Sequence, residues 1–101
     1  MSRVWRITPR ASRDIEAIAD YLATQGDLTH AEQFLKGIDS TFQRIAQFPQ
    51  IGRKRDELYP GSRSLSYKQF LIFYRLLNDD IEVLRVMSGY QDLTALFDDS
   101  P

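Results

Sequence analysis

The stretch FLIFYRLLNDDIEVLRVM, residues 70–87, carries the clearest structural pattern in the chain. Phe70 to Leu77 is a continuous apolar and aromatic run, which is typical of a central strand covered on both faces. Asn78-Asp79-Asp80 is a polar turn sequence, and Ile81 to Met87 is the next strand. The stretch therefore predicts two strands joined by a tight turn.

Two shorter strands are predicted before this pair. Arg63 to Tyr67 lies directly upstream and completes a three-strand meander. Arg3 to Thr8 alternates in its side chains and is rich in β-branched and aromatic residues, so it predicts a first strand. Because that strand is brief, we expect it at an edge of the sheet.

Helical periodicity fills the sequence between the first strand and the meander. Thr8-Pro9 is typical of an N-cap followed by proline at the first helical position, and Gly26 predicts a helix end in the left-handed conformation. The apolar residues of this first helix recur at i, i+3, i+4 and i+7: Ile15, Ile18, Ala19 and Leu22.

A second helix is predicted after a very short link. Thr29 to Glu32 fits a capping box, and Phe48-Pro49 ends the helix because the residue before proline disfavours helical geometry. The apolar face of this helix consists of Ala31, Phe34, Leu35, Ile38, Phe42 and Ile45.

These elements predict an α+β fold in residues 1–101, as a single domain. An N-terminal strand and a two-helix hairpin would pack on a mainly antiparallel sheet that the C-terminal three-strand meander completes. Because both helices are amphipathic, we expect them to cover one face of the sheet and to leave the other face available. The segment from Gln50 to Ser62 is predicted to be an irregular loop.

Composition narrows the class of protein further. The chain has no cysteine and no apolar run near the roughly 20 residues that cross a bilayer, so we expect a soluble cytoplasmic domain without disulfides or a membrane partner. Its net charge of -1 argues against broad attraction to nucleic acid, and direct sequence-specific binding is not expected. One histidine and no cysteine also argue against a metal site, and no cofactor motif is present.

Positive charge is nevertheless concentrated in one region. Between residues 44 and 68 there are six basic residues against two acidic ones. This cluster is either a solvated loop or a surface that faces a partner. The six basic residues are Arg44, Arg53, Lys54, Arg55, Arg63 and Lys68.

Arg85 is the most unusual residue, because it is a permanent cation in the middle of a strand. If Asp79-Asp80 forms a two-residue turn, Tyr74 lies directly across from Arg85. Two interpretations are open. Arg85 is either a structural arginine paired with Asp92 or a carbonyl, or an exposed arginine on the open sheet face that awaits a carboxylate or phosphate.

The inventory of catalytic groups is thin. His30 is the only histidine, and it lies in the second helix, distant in sequence from the arginines. No glycine-rich phosphate loop or nucleophile elbow is present. The residue types present therefore favour a binding function over a catalytic one.

Many short pieces follow one another in a characteristic order and spacing over nearly the whole chain. These are Ala11, Asp14-Ile15, Ile18, Tyr21, Phe48-Pro49, Gly52-Arg53, Arg55-Asp56-Glu57-Leu58, Gly61, Arg63, Ile72-Phe73-Tyr74-Arg75, Ile81-Glu82-Val83-Leu84-Arg85-Val86, Gly89 and Asp92. In these pieces the chain resembles the ParE toxins of the RelE/ParE toxin-antitoxin superfamily. The resemblance implies a helical hairpin on an antiparallel sheet.

The resemblance also implies a function, which divides within the superfamily. ParE-like members bind DNA gyrase and trap its cleaved-DNA complex, whereas RelE-like members cut messenger RNA on the ribosome. After the last strand this chain reads Ser88-Gly89-Tyr90-Gln91-Asp92, without the histidine or arginines typical of nucleases, so Tyr90 is the sole candidate proton donor. We expect a gyrase-directed toxin that is not an enzyme, with a ribosome-dependent endoribonuclease and an inactive relative as alternatives.

A cognate, ParD-like antitoxin is the implied partner, and the pair is expected to form a hetero-oligomer. An exposed sheet edge and an apolar groove can accept such a segment. The residues predicted to bind the target or the antitoxin are Arg53, Arg55, Arg63, Tyr74, Arg85, Tyr90 and Asp92.

Overall fold

Five strands form one mixed sheet in the computed structural model, which describes residues 3–88. Two helices follow the first strand and precede the other four. In chain order the elements are β1 (Trp5–Ile7), α1 (Pro9–Gln25), α2 (Leu28–Gln47), β2 (Arg53–Lys54), β3 (Ser62–Tyr67), β4 (Phe70–Leu77) and β5 (Asp80–Ser88).

The strand order is β1-β5-β4-β3-β2, so β4 lies at the centre and β1 at an edge, and both of these predictions are confirmed. β2, β3, β4 and β5 pair antiparallel in sequence, and β1 pairs parallel to β5. The predicted α+β fold is therefore confirmed. The short β2, which pairs with β3, was not predicted, because its two residues lie inside a segment with loop composition.

The turn between β4 and β5 sets the register of the meander. Asn78 and Asp79 have φ of 54° and 66°, which identifies a two-residue turn of the left-handed type that asparagine and aspartate tolerate, and Leu77 pairs with Asp80. The turn lies within the predicted Asn78-Asp79-Asp80 sequence, but the condition of a two-residue turn at Asp79-Asp80 is not met, because the turn is one residue earlier.

A register shift between Phe73 and Tyr74 changes the pairing again. Tyr74 lies opposite Val83, and Phe73 lies opposite Arg85, so that Leu84 is the additional residue of a bulge in β5. The predicted pairing of Tyr74 with Arg85 is wrong, because both the turn position and the bulge differ from the assumed geometry.

The predicted start of α1 is confirmed, since Thr8 is the N-cap, Pro9 is the first helical residue, and the Thr8 hydroxyl accepts from Ala11 N at 3.1 Å. The helix ends before Gly26, as predicted. However, Gly26 has φ of -113°, so the expected left-handed conformation is wrong. Its N–H instead donates to the Leu22 carbonyl at 2.9 Å, and the chain turns directly into the next helix.

α2 begins two residues earlier than the capping box predicted. Asp27 is its N-cap, and the Asp27 carboxylate accepts from His30 N at 3.1 Å. The prediction of Thr29 as the cap is wrong, because the Asp27 carboxylate already caps the helix at the His30 amide and Thr29 becomes helical. The predicted helix end at Phe48-Pro49 is confirmed.

Neither helix of residues 3–88 is long and apolar enough to cross a membrane.

Both helices pack on one face of the sheet. Trp5 contacts Phe42, with ring centroids 6.4 Å apart, and Phe34 meets Phe70 edge-on, with ring centroids 4.9 Å apart. The buried members of this core are Ala11, Phe34, Ile38, Phe42, Ile45, Ala46, Phe70, Ile72, Tyr74, Ile81, Val83 and Val86.

The opposite face of the sheet is also apolar. Phe73 and Met87 are buried there, and Leu58, Leu71 and Leu84 pack against them. Leu58 comes from the loop between β2 and β3, which therefore folds back onto this face. The expectation that this face stays available is wrong at its centre, because an apolar strand that is central to the sheet needs cover on both sides.

The position of the α2 cap gives a direct test. Asp27→Ala should lower the free energy of unfolding by about 1 kcal/mol, because the His30 amide loses its side-chain acceptor and keeps only the Asp27 carbonyl. Thr29→Ala is the matched control and should change it by less than about 0.5 kcal/mol, because Thr29 is exposed inside the helix. Urea unfolding followed by circular dichroism measures both. A larger loss of stability for Thr29→Ala than for Asp27→Ala would show that Thr29 is the N-cap.

Candidate functional site

Four of the seven predicted site residues belong to one part of the structure. Arg53, Arg55, Arg63 and Tyr74 lie in or beside residues 48–61, which connect α2 to β3 and which we call the basic loop. Arg85 lies on β5 and bonds to α1 instead. The two remaining predicted residues, Tyr90 and Asp92, lie outside the described residues.

Tyr74 fixes the basic loop to the sheet. Its side chain is fully buried, and its hydroxyl donates to the Pro49 carbonyl at 2.8 Å and accepts from Gly52 N at 2.9 Å. Burial raises the pKa of Tyr74 above its ordinary value of 10, and the Gly52 hydrogen bond and the nearby Arg63 charge offset this only in part. Tyr74 is therefore a neutral phenol that holds the loop in place.

Gly52 is required by this close approach. A Cβ at residue 52 would lie 2.6 Å from the Tyr74 hydroxyl oxygen and 2.9 Å from the Ser64 carbonyl oxygen. Both distances are shorter than a van der Waals contact, so a side chain at this position would push the loop away from β4.

Two of the predicted site arginines form hydrogen bonds within the chain, in or beside the basic loop. Arg63 Nη1 donates to the carbonyl of Gly52 at 2.9 Å and to that of Gln50 at 3.3 Å. Arg55 Nε donates to Ser64 Oγ at 2.8 Å, and the Ser62 hydroxyl donates to the Arg55 carbonyl at 3.0 Å. These guanidinium groups stabilise the path of the chain, as Tyr74 does.

Arg53 and Lys54 differ from their neighbours. Both lie on β2, the edge strand of the sheet, and both are exposed. Neither makes a side-chain hydrogen bond or an ion pair in the part of the chain that the structure describes. The exposure of Arg53 and Lys54 fits both interpretations of the basic cluster, a solvated loop and a partner-facing surface. Arg55 and Arg63 fit neither, because they have a structural role.

Arg85 is held by a carboxylate of α1. Arg85 Nε donates to Asp14 Oδ2 at 2.7 Å and Nη2 donates to Oδ1 at 3.0 Å, which is a bidentate pair. The same Asp14 Oδ2 accepts from Val86 N at 3.0 Å. Arg85 is 9% exposed, so the hypothesis of an exposed arginine on an open sheet face is wrong. The structural interpretation holds with Asp14 as the partner, and Asp92 lies outside the described residues.

The reason for this pairing is the length of β1. β1 ends at Ile7, and Thr8 then bonds the edge of β5 through its N–H to the Val83 carbonyl at 3.1 Å and its hydroxyl to the Leu84 carbonyl at 3.2 Å. α1 continues along the same edge, where the Asp14 carboxylate takes the amide that a neighbouring strand would have bonded. A polar residue three positions after Ala11 on the apolar side of α1 was the sequence signal for this contact.

A second ion pair was also missed in the sequence. Arg75 and Glu82 are cross-strand partners in β4 and β5, with Arg75 Nε 2.7 Å from Glu82 Oε1. Arg75 also donates to the Tyr59 hydroxyl at 3.3 Å. A turn at Asn78-Asp79 pairs residue 75 with residue 82, so the correct turn position would have predicted this ion pair.

Two grooves flank this framework. The first has a volume of about 490 Å³ and runs between α1 and the ends of β4 and β5. Its apolar lining comprises Ala17, Ile18, Tyr21, Leu22, Phe70 and Val86. The second has a volume of about 680 Å³ and lies between the end of α2, the start of the basic loop and Leu76.

The histidine lies away from the arginines of the predicted site. His30 is exposed on α2, and its Nδ1 lies 3.2 Å from Asp27 Oδ1. The same residues contain no cluster of three histidine, aspartate or glutamate side chains that could hold a metal ion. The geometry offers apolar grooves, sheet edges and positive charge, which are features of a surface that binds another macromolecule.

The fold is that of known toxins from toxin-antitoxin complexes. The chromosomal ParDE system from P. aeruginosa superposes with a TM-score of 0.74 at 22% identity, covering 86% of this chain and 96% of that one. The RelBE2 toxin-antitoxin complex from Mycobacterium tuberculosis superposes with a TM-score of 0.59 at 19% identity, covering 87% and 99%. The protein therefore has the fold of RelE/ParE toxins.

Sequence comparison identifies the branch. The family model described as the ParE toxin of type II toxin-antitoxin system, parDE, matches residues 5–93. Toxin ParE3 of Caulobacter vibrioides is 35% identical over 95 residues, 94% of each chain. Toxin ParE1 of Mycobacterium tuberculosis is 34% identical over 94 residues, 92% of this chain and 96% of that one. The chain belongs to the ParE toxin family of type II toxin-antitoxin systems.

Removing the Tyr74 hydroxyl should loosen the basic loop. Tyr74→Phe is expected to lower the free energy of unfolding by about 1–3 kcal/mol, because the Gly52 amide and the Pro49 carbonyl both lose a buried partner. Tyr21→Phe, at a 64% exposed side chain, is the matched control and should be nearly neutral. Denaturant unfolding measures both variants.

The same variant predicts a dependence on pH. Since the native pKa of Tyr74 is raised, the unfolded chain releases this proton at lower pH than the native one, and stability falls as the pH rises above 10. Tyr74→Phe should lose less stability over that interval than the unmodified chain does. Equal losses in the two proteins would show that Tyr74 ionises as readily in the native state as in the unfolded chain.

The Asp14 contact should be worth more than the exposed ion pairs. Asp14→Ala is expected to cost about 3 kcal/mol, because it removes the carboxylate from a largely buried arginine and from the Val86 amide. Glu82→Ala is the matched control: its pair with Arg75 has the same 2.7 Å distance but is more exposed, so about 1 kcal/mol is expected. Thermal and urea unfolding compare them, and equal costs would contradict the special role of Asp14.

Proposed function

We propose that this chain is a toxin that inhibits DNA gyrase by binding it and trapping its cleaved-DNA complex, without catalysing a reaction. Membership of the ParE family supports a toxin, and the ParE-like resemblance supports gyrase as the target. The proposal places the protein in the cytoplasm, where its target acts.

One observation carries the choice of binding over catalysis. Cleavage of an RNA phosphate needs cations that are free to contact the phosphate and a group that moves a proton. Of the four predicted site arginines, Arg55, Arg63 and Arg85 each donate to acceptors of the chain itself. Within residues 3–88 only Arg53 of this set is exposed without such a bond. Tyr74 is buried with a raised pKa, which makes it a poor proton donor to a substrate. Because these side chains bond within the chain, they support a rigid surface that binds a partner by its shape.

We further propose that a cognate antitoxin binds and neutralises the toxin, so that the two form a hetero-oligomer. β1 and β2 are the edge strands of the sheet, and each has a partner on one side only. Such edges accept an added strand, and the first groove, beside α1, accepts the apolar side chains of a helix. Arg53 and Lys54, at the β2 edge, are the charged residues that we assign to a partner surface.

Two assays in parallel test the proposal. The purified chain should inhibit gyrase supercoiling and accumulate cleaved DNA, and should leave ribosome-bound transcripts intact. Adding the cognate antitoxin before the toxin is the control and should restore supercoiling. The Arg53→Glu/Lys54→Glu double variant tests the assigned surface, with Arg10→Glu/Arg13→Glu as an exposed basic pair on α1 for comparison.

The opposite pattern would overturn the proposal. Ribosome-dependent cuts in transcripts that disappear in Tyr90→Phe, together with unaffected gyrase, would make the chain an endoribonuclease. Unaffected gyrase and intact transcripts would mean a folded relative without either activity.

A further inference from the structure

The second groove is lined by three large apolar side chains that are exposed to solvent. Phe48 is 59% exposed, Ile51 is 42% exposed and Leu76 is 43% exposed, and all three line one concavity of about 680 Å³. Single exposed apolar residues are common, but a group of large ones in one groove is typical of a binding site.

The groove is also rigid. Ile51 N donates to the Phe48 carbonyl at 3.0 Å, which closes a turn between the two apolar residues. The Tyr74 hydroxyl bonds the loop at Pro49 and at Gly52, within and directly after this turn. The apolar side chains are therefore presented on a backbone that is already fixed, which reduces the entropic cost of binding.

Arg3, which lines the same groove, lacks adequate partners. Within residues 3–88 its buried Nε has no hydrogen-bond partner. Its one hydrogen bond to those residues is from Nη1 to the Ala46 carbonyl, at the long distance of 3.5 Å. No carboxylate in residues 3–88 lies within ion-pair distance of it. A buried guanidinium donor without an acceptor is costly, so a carboxylate brought into this groove would be bound favourably.

We infer that this surface, which we call the Arg3 groove, binds a segment of the cognate antitoxin that carries an apolar side chain next to an aspartate or glutamate. The inference rests on the proposed function, because it assumes the antitoxin as a partner. The apolar side chain would lie between Phe48, Ile51 and Leu76. The neighbouring carboxylate would accept hydrogen bonds from the Arg3 guanidinium.

The dimensions and the charge of the groove favour this occupant over others. A volume of about 680 Å³ holds a few side chains of one segment. A second copy of the chain is also disfavoured. Two-fold symmetry through the groove would bring two Arg3 guanidinium groups together.

Affinity measurements with the purified cognate antitoxin test the inference. Arg3→Glu and Ile51→Asp should each weaken binding by about ten- to a hundredfold, because they reverse the charge of the groove and place a charge on its apolar wall. Arg13→Glu and Leu28→Asp are matched controls at exposed positions on α1 and at the start of α2, and should bind as the unmodified chain does. Circular dichroism checks that each variant is folded.

A milder variant and a charge exchange complete the design. Arg3→Gln should weaken binding less than Arg3→Glu, and replacing one antitoxin carboxylate by lysine should restore affinity for Arg3→Glu alone. Binding of the Arg3 and Ile51 variants at the level of the controls would overturn the inference. So would loss of gyrase inhibition with unchanged antitoxin affinity, which would assign the groove to the target. Failure of the unmodified chain to bind the antitoxin would instead overturn the proposed partner itself.

Discussion

The Asp14 carboxylate joins the helical hairpin to the sheet, and much of the molecule depends on that contact. It accepts two hydrogen bonds from Arg85 and one from the Val86 amide, at the edge of β5 that β1 is too short to reach. It thereby sets the distance between α1 and the ends of β4 and β5. That distance defines the first groove, which Asp14 itself lines. A residue that resembles a solvent-exposed acid in the sequence is therefore the residue that shapes a binding surface.

Local signals predicted the elements well, and long-range contacts could not be predicted. The bounds of β4, the Thr8-Pro9 start of α1 and the end of α2 were all correct, because each follows from residues adjacent in sequence. The pairing of Tyr74 with Arg85 failed because one residue in the turn and one bulge shift the register of the sheet. The position of Asp14 on the apolar side of α1 signals a buried contact, but its partner Arg85 lies 71 residues away and the local pattern does not identify it.

The candidate site was predicted in composition but not in role. The basic cluster is real, yet Arg55 and Arg63 donate to the chain's own serine and carbonyl oxygens, and a sequence does not show which cations are used in this way. Arg53 and Lys54 are exposed on the edge strand β2. The Arg3 groove was not predicted, because Arg3, Phe48 and Leu76 belong to three distant segments that only the fold brings together. Family membership adds the toxin function, which neither the charges nor the grooves specify.

The parallel pairing of β1 with β5 also has a consequence for biosynthesis. The backbone of Val4 bonds to Asp80 and Ile81, so segments 76 residues apart in sequence must meet before the sheet is complete. Such non-local closure is slow, and it cannot begin until the ribosome has made β5. Until then β1 has no strand to pair with, and Asp14 has neither the Arg85 guanidinium nor the Val86 amide to bond.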